Sequence, residues 1–185
     1  MVIGLLVGGI TAYGQGWIGD SLGSAVNSAG PWSVAAFMVA RPMRSWFGGA
    51  ASAAVTLAMC EVGYVIANNI RGVPYATSTL VFWLMAAALA GPPLGVAGVW
   101  SRHTAPLPTA AGFGVICGVL IGEGSYGLAR LTGSTDWRYW LGEVAIGVVI
   151  LGVVFARARN LPAVLAGTGV TAACAGVVFA AAILA

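Results

Sequence analysis

The chain has 185 residues, 59% of them hydrophobic and only 7% charged, where an ordinary soluble domain carries roughly 25% charged residues. Eight basic and five acidic side chains cannot coat a soluble surface of this size. That excludes a soluble globular enzyme, a nucleic-acid binder and a disordered protein, and it describes an integral membrane protein with little mass outside the bilayer.

A helix crossing the bilayer needs roughly 20 apolar residues. The expected fold is therefore an all-α polytopic membrane helix bundle of about seven transmembrane segments with short loops, residues 1–185 forming one domain. The first apolar segment covers 2–18. It lacks a basic start and runs on toward Trp17, so it reads as a span rather than a separate signal peptide. A polar stretch, 19–30, follows with Asp20, Ser21, Ser24, Asn27 and Ser28. The second segment, 31–40, is too short to cross alone as a regular helix, unless it borrows from the polar stretch or extends to Met43. The third is 46–69, the fourth 75–100 and the fifth 108–131. The sixth is 137–156 and the seventh 161–185. Gly91-Pro92-Pro93 predicts a kink in the fourth.

All the basic residues apart from His103 are arginines. Counting spans puts Arg41, Arg44, Arg102, Arg157 and Arg159 on one side, and Arg71, Arg130 and Arg138 on the other. The bias predicts a multi-pass protein of the cell membrane with a cytoplasmic N-terminus. His103 beside Arg102 reads as a solvated loop residue. Cys60, Cys117 and Cys174 lie in apolar runs without metal-ligand spacing, and read as small buried residues. Glycines inside the apolar runs, such as Gly48-Gly49 and Gly112-x-Gly114, read as close helix packing rather than a phosphate loop. A weak internal repeat is visible. Ala29-Gly30-Pro31 and Ala90-Gly91-Pro92 each precede an apolar stretch ending in arginine, and each is followed by a helix with Glu-x-x-Tyr, at Glu61 with Tyr64 and at Glu123 with Tyr126.

Carboxyls inside a membrane are costly and point to function. All five acids fall on one side in this reading. Asp20 lies in the polar stretch, Glu61 and Glu123 about two turns before the ends of their spans, and Asp136 and Glu143 at the start of the sixth. Helical spacing puts Glu61, Tyr64 and Asn68 on one face, Glu123, Tyr126 and Arg130 on another, and Asp136, Tyr139, Trp140 and Glu143 on a third. Trp17, Asn27, Trp32, Tyr75, Trp83 and Trp137 occupy the same half of the membrane. Five acids share that side with three arginines, so complete pairing is impossible. A carboxyl buried away from cations favours its neutral form, and a neutral acid is a proton donor. In an aromatic pocket such a donor can protonate an alkene of a lipophilic polyene, and ring faces stabilise the cations that follow.

On these acids and aromatics the chain resembles the small integral-membrane terpene cyclases of actinobacteria, the drimentine type that cyclises a farnesyl chain carried on an indole diketopiperazine. The resemblance covers nearly the whole chain in outline: size, multiple helices, few charges and intramembrane acids among aromatics. It implies a protonation-initiated cyclase of isomerase or lyase type, with an acid pair as proton donor and helper. Glu61 is the expected donor, and Asp136, Glu123 and Glu143 compete for the helper role. Tyr64, Trp83, Tyr126, Trp140, Trp32, Asn68 and Tyr139 are the expected substrate-binding residues. The Asp-rich motifs of soluble cyclases are absent, so neither a metal nor another cofactor is expected. The implied partners are a prenylated lipophilic small molecule and membrane lipid, not nucleic acid. The alternatives are a small proton-coupled transporter, a substrate-binding membrane subunit, and an accessory membrane protein with arginine-paired acids.

Overall fold

The computed structural model describes residues 1–17, 28–133 and 135–184. These form seven helices and no strand: α1 Val2–Trp17, α2 Gly30–Ala40, α3 Trp46–Ile70, α4 Thr77–Trp100, α5 Pro106–Arg130, α6 Trp137–Ala158 and α7 Leu161–Leu184. The last five are long and apolar enough to cross a membrane, and α1 and α2 are shorter. Asp20, Ser21, Ser24 and Asn27 lie outside the described residues.

Local chemistry sets the helix ends. The Ser45 side chain accepts from Gly48 N and caps α3, satisfying one of the free N–H groups of a first turn. Gly72, at φ 68°, turns the chain out of α3, a backbone position that favours glycine. Pro106 opens α5, where its missing N–H costs nothing. The helix α4 is not interrupted by Pro92 and Pro93. There Gly91 presses its backbone against Ala54 of α3, and close packing of this kind holds a helix through residues that weaken it in isolation.

Small residues also fix the helix directions. Gly4 and Gly8 of α1 meet Thr56 and Cys60 of α3, so these two helices run parallel. Gly114, Gly118 and Gly122 of α5 likewise meet Gly167, Thr171 and Ala175 of the parallel α7. In contrast, α3 lies antiparallel to α4, with Gly49 against Gly95, and α5 antiparallel to α6, with Gly124 against Val144 and Gly147 against Cys117. The short α2 packs among α3, α4 and α5 around a core that includes Ala36, Phe37, Ala40, Ala53, Leu94 and Ile116. Cys60 and Cys117 are buried free thiols in this packing, and Cys174 is half-buried. Large apolar side chains such as Ile146, Val149 and Val153 of α6 are exposed, as a lipid-facing surface requires.

These directions gather Arg41, Arg44, Arg102, Arg157 and Arg159 at one end of the bundle, and Arg71, Arg130 and Arg138 at the other. Glu61, Glu123, Asp136 and Glu143 all lie in the half opposite to Arg41, as counting spans predicts.

The parallel α1–α3 contact has a measurable consequence. A Cβ on Gly8 would run into the Cys60 carbonyl, whereas one on Gly9 comes no nearer than 4.0 Å to the Gly63 carbonyl. Gly8→Ala is therefore expected to cost about 1–3 kcal/mol through overpacking, and Gly9→Ala less than about 0.5 kcal/mol. Thermal melts in detergent compare them, and equal melting temperatures would remove Gly8 from the interface.

Candidate functional site

Four helices supply a cavity of about 210 Å³. Thr11 and Gln15 come from α1, one turn apart on one face. Glu61 and Tyr64 do the same on α3, and Thr79 and Trp83 on α4. Trp32 enters from α2, Ser28 and Ala29 from the segment just before it, and Tyr75 from the α3–α4 loop. Spacings of three and four residues place each helical pair on a common face.

Glu61 is 1% exposed. The Tyr75 hydroxyl donates to its Oε1 at 2.8 Å. Tyr75 lies outside the spanning helices. Burial, with the Glu61 carboxyl second, raises its phenol above the ordinary tyrosine value, so the hydroxyl keeps its proton and stays a donor. Two further aromatic groups of the wall are also tied down. Tyr64 donates its hydroxyl hydrogen to Gln15 Oε1 at 2.8 Å. Trp32 Nε1 donates to Thr11 Oγ1 at 3.1 Å, and Thr11 donates in turn to the Val7 carbonyl at 2.8 Å. Tyr64 stands at the centre of an edge-to-face series, 6.1 Å from Trp32 and 5.6 Å from Tyr75. The cavity thus joins one deeply buried carboxyl to rigid aromatic walls. No arginine guanidinium among the described residues comes within 4.0 Å of a carboxylate.

Ser28 and Ala29 separate this cavity from a second acidic cluster. The Ala29 N–H donates to Glu123 Oε1 at 2.7 Å, and Ser28 Oγ donates to Glu143 Oε1 at 3.4 Å. Gly30 N donates to the same Ser28 oxygen at 3.1 Å. The two carboxyls therefore meet at the N-terminus of α2, where the free amides and helix dipole favour one negative charge. Glu143 is buried, and the Oε2 atoms of both Glu123 and Glu143 are buried without a hydrogen-bond partner among the described residues. Tyr139 lies beside them, next to Glu143 and Ser28. Among the described residues no group of three or more His, Cys, Asp or Glu side chains is placed to hold a metal ion.

One family profile matches residues 1–185, the whole chain. The chain belongs to DUF6518, a family of unknown function. No curated protein and no solved structure matches it.

In this DUF6518 chain the expected site residues divide into groups. Glu61, Tyr64, Trp32 and Trp83 line the cavity together. Glu123, Glu143 and Tyr139 form the neighbouring cluster. The remaining four are elsewhere. Asp136 caps α6, its side chain accepting from Arg138 N at 2.8 Å, so its carboxyl serves the helix start rather than the cavity. Asn68 is buried near the end of α3, where its Oδ1 accepts from Arg71 Nη1 at 3.5 Å, and the same Arg71 atom donates to the Ala12 carbonyl. Tyr126 stacks edge-on with Phe179 of α7 at 5.9 Å. Trp140 is buried against Gly127, its Nε1 donating to Thr135 Oγ1 at 2.8 Å. The two Glu-x-x-Tyr copies consequently have unlike surroundings, Tyr64 in the cavity and Tyr126 on α7. Thr11, Gln15, Ser28 and Thr79 join the site without being named for it in the sequence reading, and Tyr75, which that reading puts among the aromatics of the same half of the membrane, lines it as well. The spacing of Thr11 and Gln15 on an otherwise apolar helix was the available signal.

Proposed function

We propose that this protein is a membrane-embedded cyclase that protonates an alkene of a farnesyl-bearing lipophilic substrate at Glu61. The observation that carries this reading is a carboxyl 1% exposed, set in a cavity walled by Trp32, Tyr64, Tyr75 and Trp83. Glu61 delivers its proton to one alkene carbon, and the π pair forms the new C–H bond. The neighbouring carbon becomes cationic. Each ring closure spends one further π bond on a C–C bond and moves the cation along the chain. Loss of a proton from a carbon beside the last cation forms the final alkene. The Glu61 carboxylate can take that proton back, so the net change is an isomerisation. Ring faces within reach of the chain stabilise the passing charge. Trp83 is partly exposed at the cavity wall, which suits entry from the lipid. In this reading the arginine-rich end and the N-terminus face the cytoplasm, following the five-to-three bias.

The test uses protein purified in detergent, incubated in D2O with a farnesylated indole diketopiperazine. The expected product is an isomer with one carbon-bound deuterium by mass spectrometry. No conversion across several prenylated substrates, from a monodisperse sample, would overturn the reading. Within it, Trp83→Ala and Tyr64→Phe are expected to change the product mixture or slow turnover about tenfold, the scale of one lost ring contact or hydrogen bond. An unchanged product spectrum would remove both from the substrate wall.

A second reading, proton-coupled transport, draws on the Glu123–Glu143 pair, whose buried Oε2 atoms lack partners among the described residues. Intramembrane acids of this kind serve proton relays in transporters. Uptake into vesicles that requires a proton gradient would favour it over cyclisation, which needs none.

A further inference from the structure

The arginine-rich end of the bundle carries a charge that the described residues do not neutralise. Glu61, Glu123, Asp136 and Glu143 all lie in the other half. At this end α2, α4 and α5 converge. Gly98 of α4 packs against the Phe37 carbonyl and the Arg41 backbone. Arg102 reaches across and donates from Nη1 to the Arg41 carbonyl at 3.1 Å. The Arg41 guanidinium is drawn over the Phe113 ring of α5, 5.8 Å from its centroid, and Phe113 in turn packs on Phe37 at 5.9 Å. Arg41 Nε is buried and has no hydrogen-bond partner among the described residues. Arg44, Arg157 and Arg159 are exposed at the same end and add to its field.

Two guanidinium groups are thus fixed at one helix junction, one by a ring face and one by a backbone carbonyl. Clustered cations repel one another unless an anion lies among them. The matching anion is a phosphate, whose oxygens fit the guanidinium fork. At the end of a membrane bundle the phosphate in supply is that of a lipid, and basic pockets between spanning helices take anionic headgroups. We propose that the junction of α2, α4 and α5 binds an anionic phospholipid, its phosphate held by Arg41 and Arg102. This site is independent of the Glu61 chemistry and lies at the opposite end of the bundle.

The experiment titrates phosphatidylglycerol or phosphatidylcholine into the detergent-purified full chain, read by native mass spectrometry and thermal shift. Each arginine near a headgroup contributes about fivefold in affinity, so the pair is worth roughly 25-fold. Phosphatidylglycerol is expected to bind tighter than phosphatidylcholine by about that factor. R41Q/R102Q is expected to remove the difference, and R130Q at the far end to leave it intact. R41K/R102K keeps the charge but loses the fork, and serves if the glutamine variant does not fold. It is expected to retain only part of the preference. Equal binding of the two lipids, a preference unchanged in a folded R41Q/R102Q or in R41K/R102K, or an equal loss in R130Q would each overturn the proposal. Inorganic phosphate is the last arm. Equal stabilisation by phosphate alone, at matched concentration, would overturn the lipid in favour of a free phosphate site.

Discussion

Glu61→Gln is expected to abolish carbon-bound deuterium in the product while leaving the fold intact. The amide keeps the volume of the side chain. Its oxygen still accepts the hydrogen that Tyr75 donates to Glu61 Oε1 at 2.8 Å. It has no acidic proton to give, so only the chemical step is removed. A positioned general acid contributes about 10²–10⁴-fold, and turnover is expected to fall by that range with little change in melting temperature. Tyr75→Phe is the milder companion. It withdraws one donor from a carboxyl that stays in place, and a fall of about tenfold matches the loss of one such hydrogen bond. A folded Glu61→Gln protein that still incorporates deuterium at the parent rate would end the assignment of Glu61 as donor. The pair also separates catalysis from an accessory role, in which Glu61→Gln changes stability at most.

The fold was legible because membrane crossing is a length rule. Runs of about 20 apolar residues interrupted by arginine and proline gave the five long helices, and the shortness of 31–40 marked α2 as unable to cross. Glu61 was legible for a similar reason, being a carboxyl inside one of those runs. What the sequence hides is how each helix is rotated against its neighbours. In a helix that is apolar all round, periodicity does not say which face meets protein and which meets lipid. Linear spacing therefore puts Tyr126 and Trp140 with the pocket acids, yet they pack on α7 and against α5. Thr11 and Gln15 reach the Glu61 cavity only because α1 runs parallel to α3 on glycine contacts, a pairing that no local pattern encodes. Asp136 is a different case. An Asp directly before the first helical residue is a start signal, and the capping role was legible at that position.

Gly30→Ala is expected to destabilise the protein, and Glu143→Ala in the same chain to recover most of the loss. A Cβ built on Gly30 falls onto Glu143 Oε1, and also lies 3.2 Å from Glu143 Cδ and 3.3 Å from Glu123 Oε2. Glu143 is 5% exposed, so its carboxyl has little room to retreat without moving α6 against α5. Overpacking of this kind costs about 1–3 kcal/mol. The displaced carboxyl would also lose Ser28, and the shifted backbone would turn the Ala29 N–H away from Glu123. Truncating Glu143 vacates the space that the new methyl needs. The two substitutions should therefore be non-additive, with a coupling of about 1–3 kcal/mol in a double-mutant cycle. Unfolding free energies of the parent, both single variants and the double variant in mixed micelles measure it. Strict additivity would mean that Gly30 and Glu143 do not meet, and the acid pair at the start of α2 would have to be rebuilt.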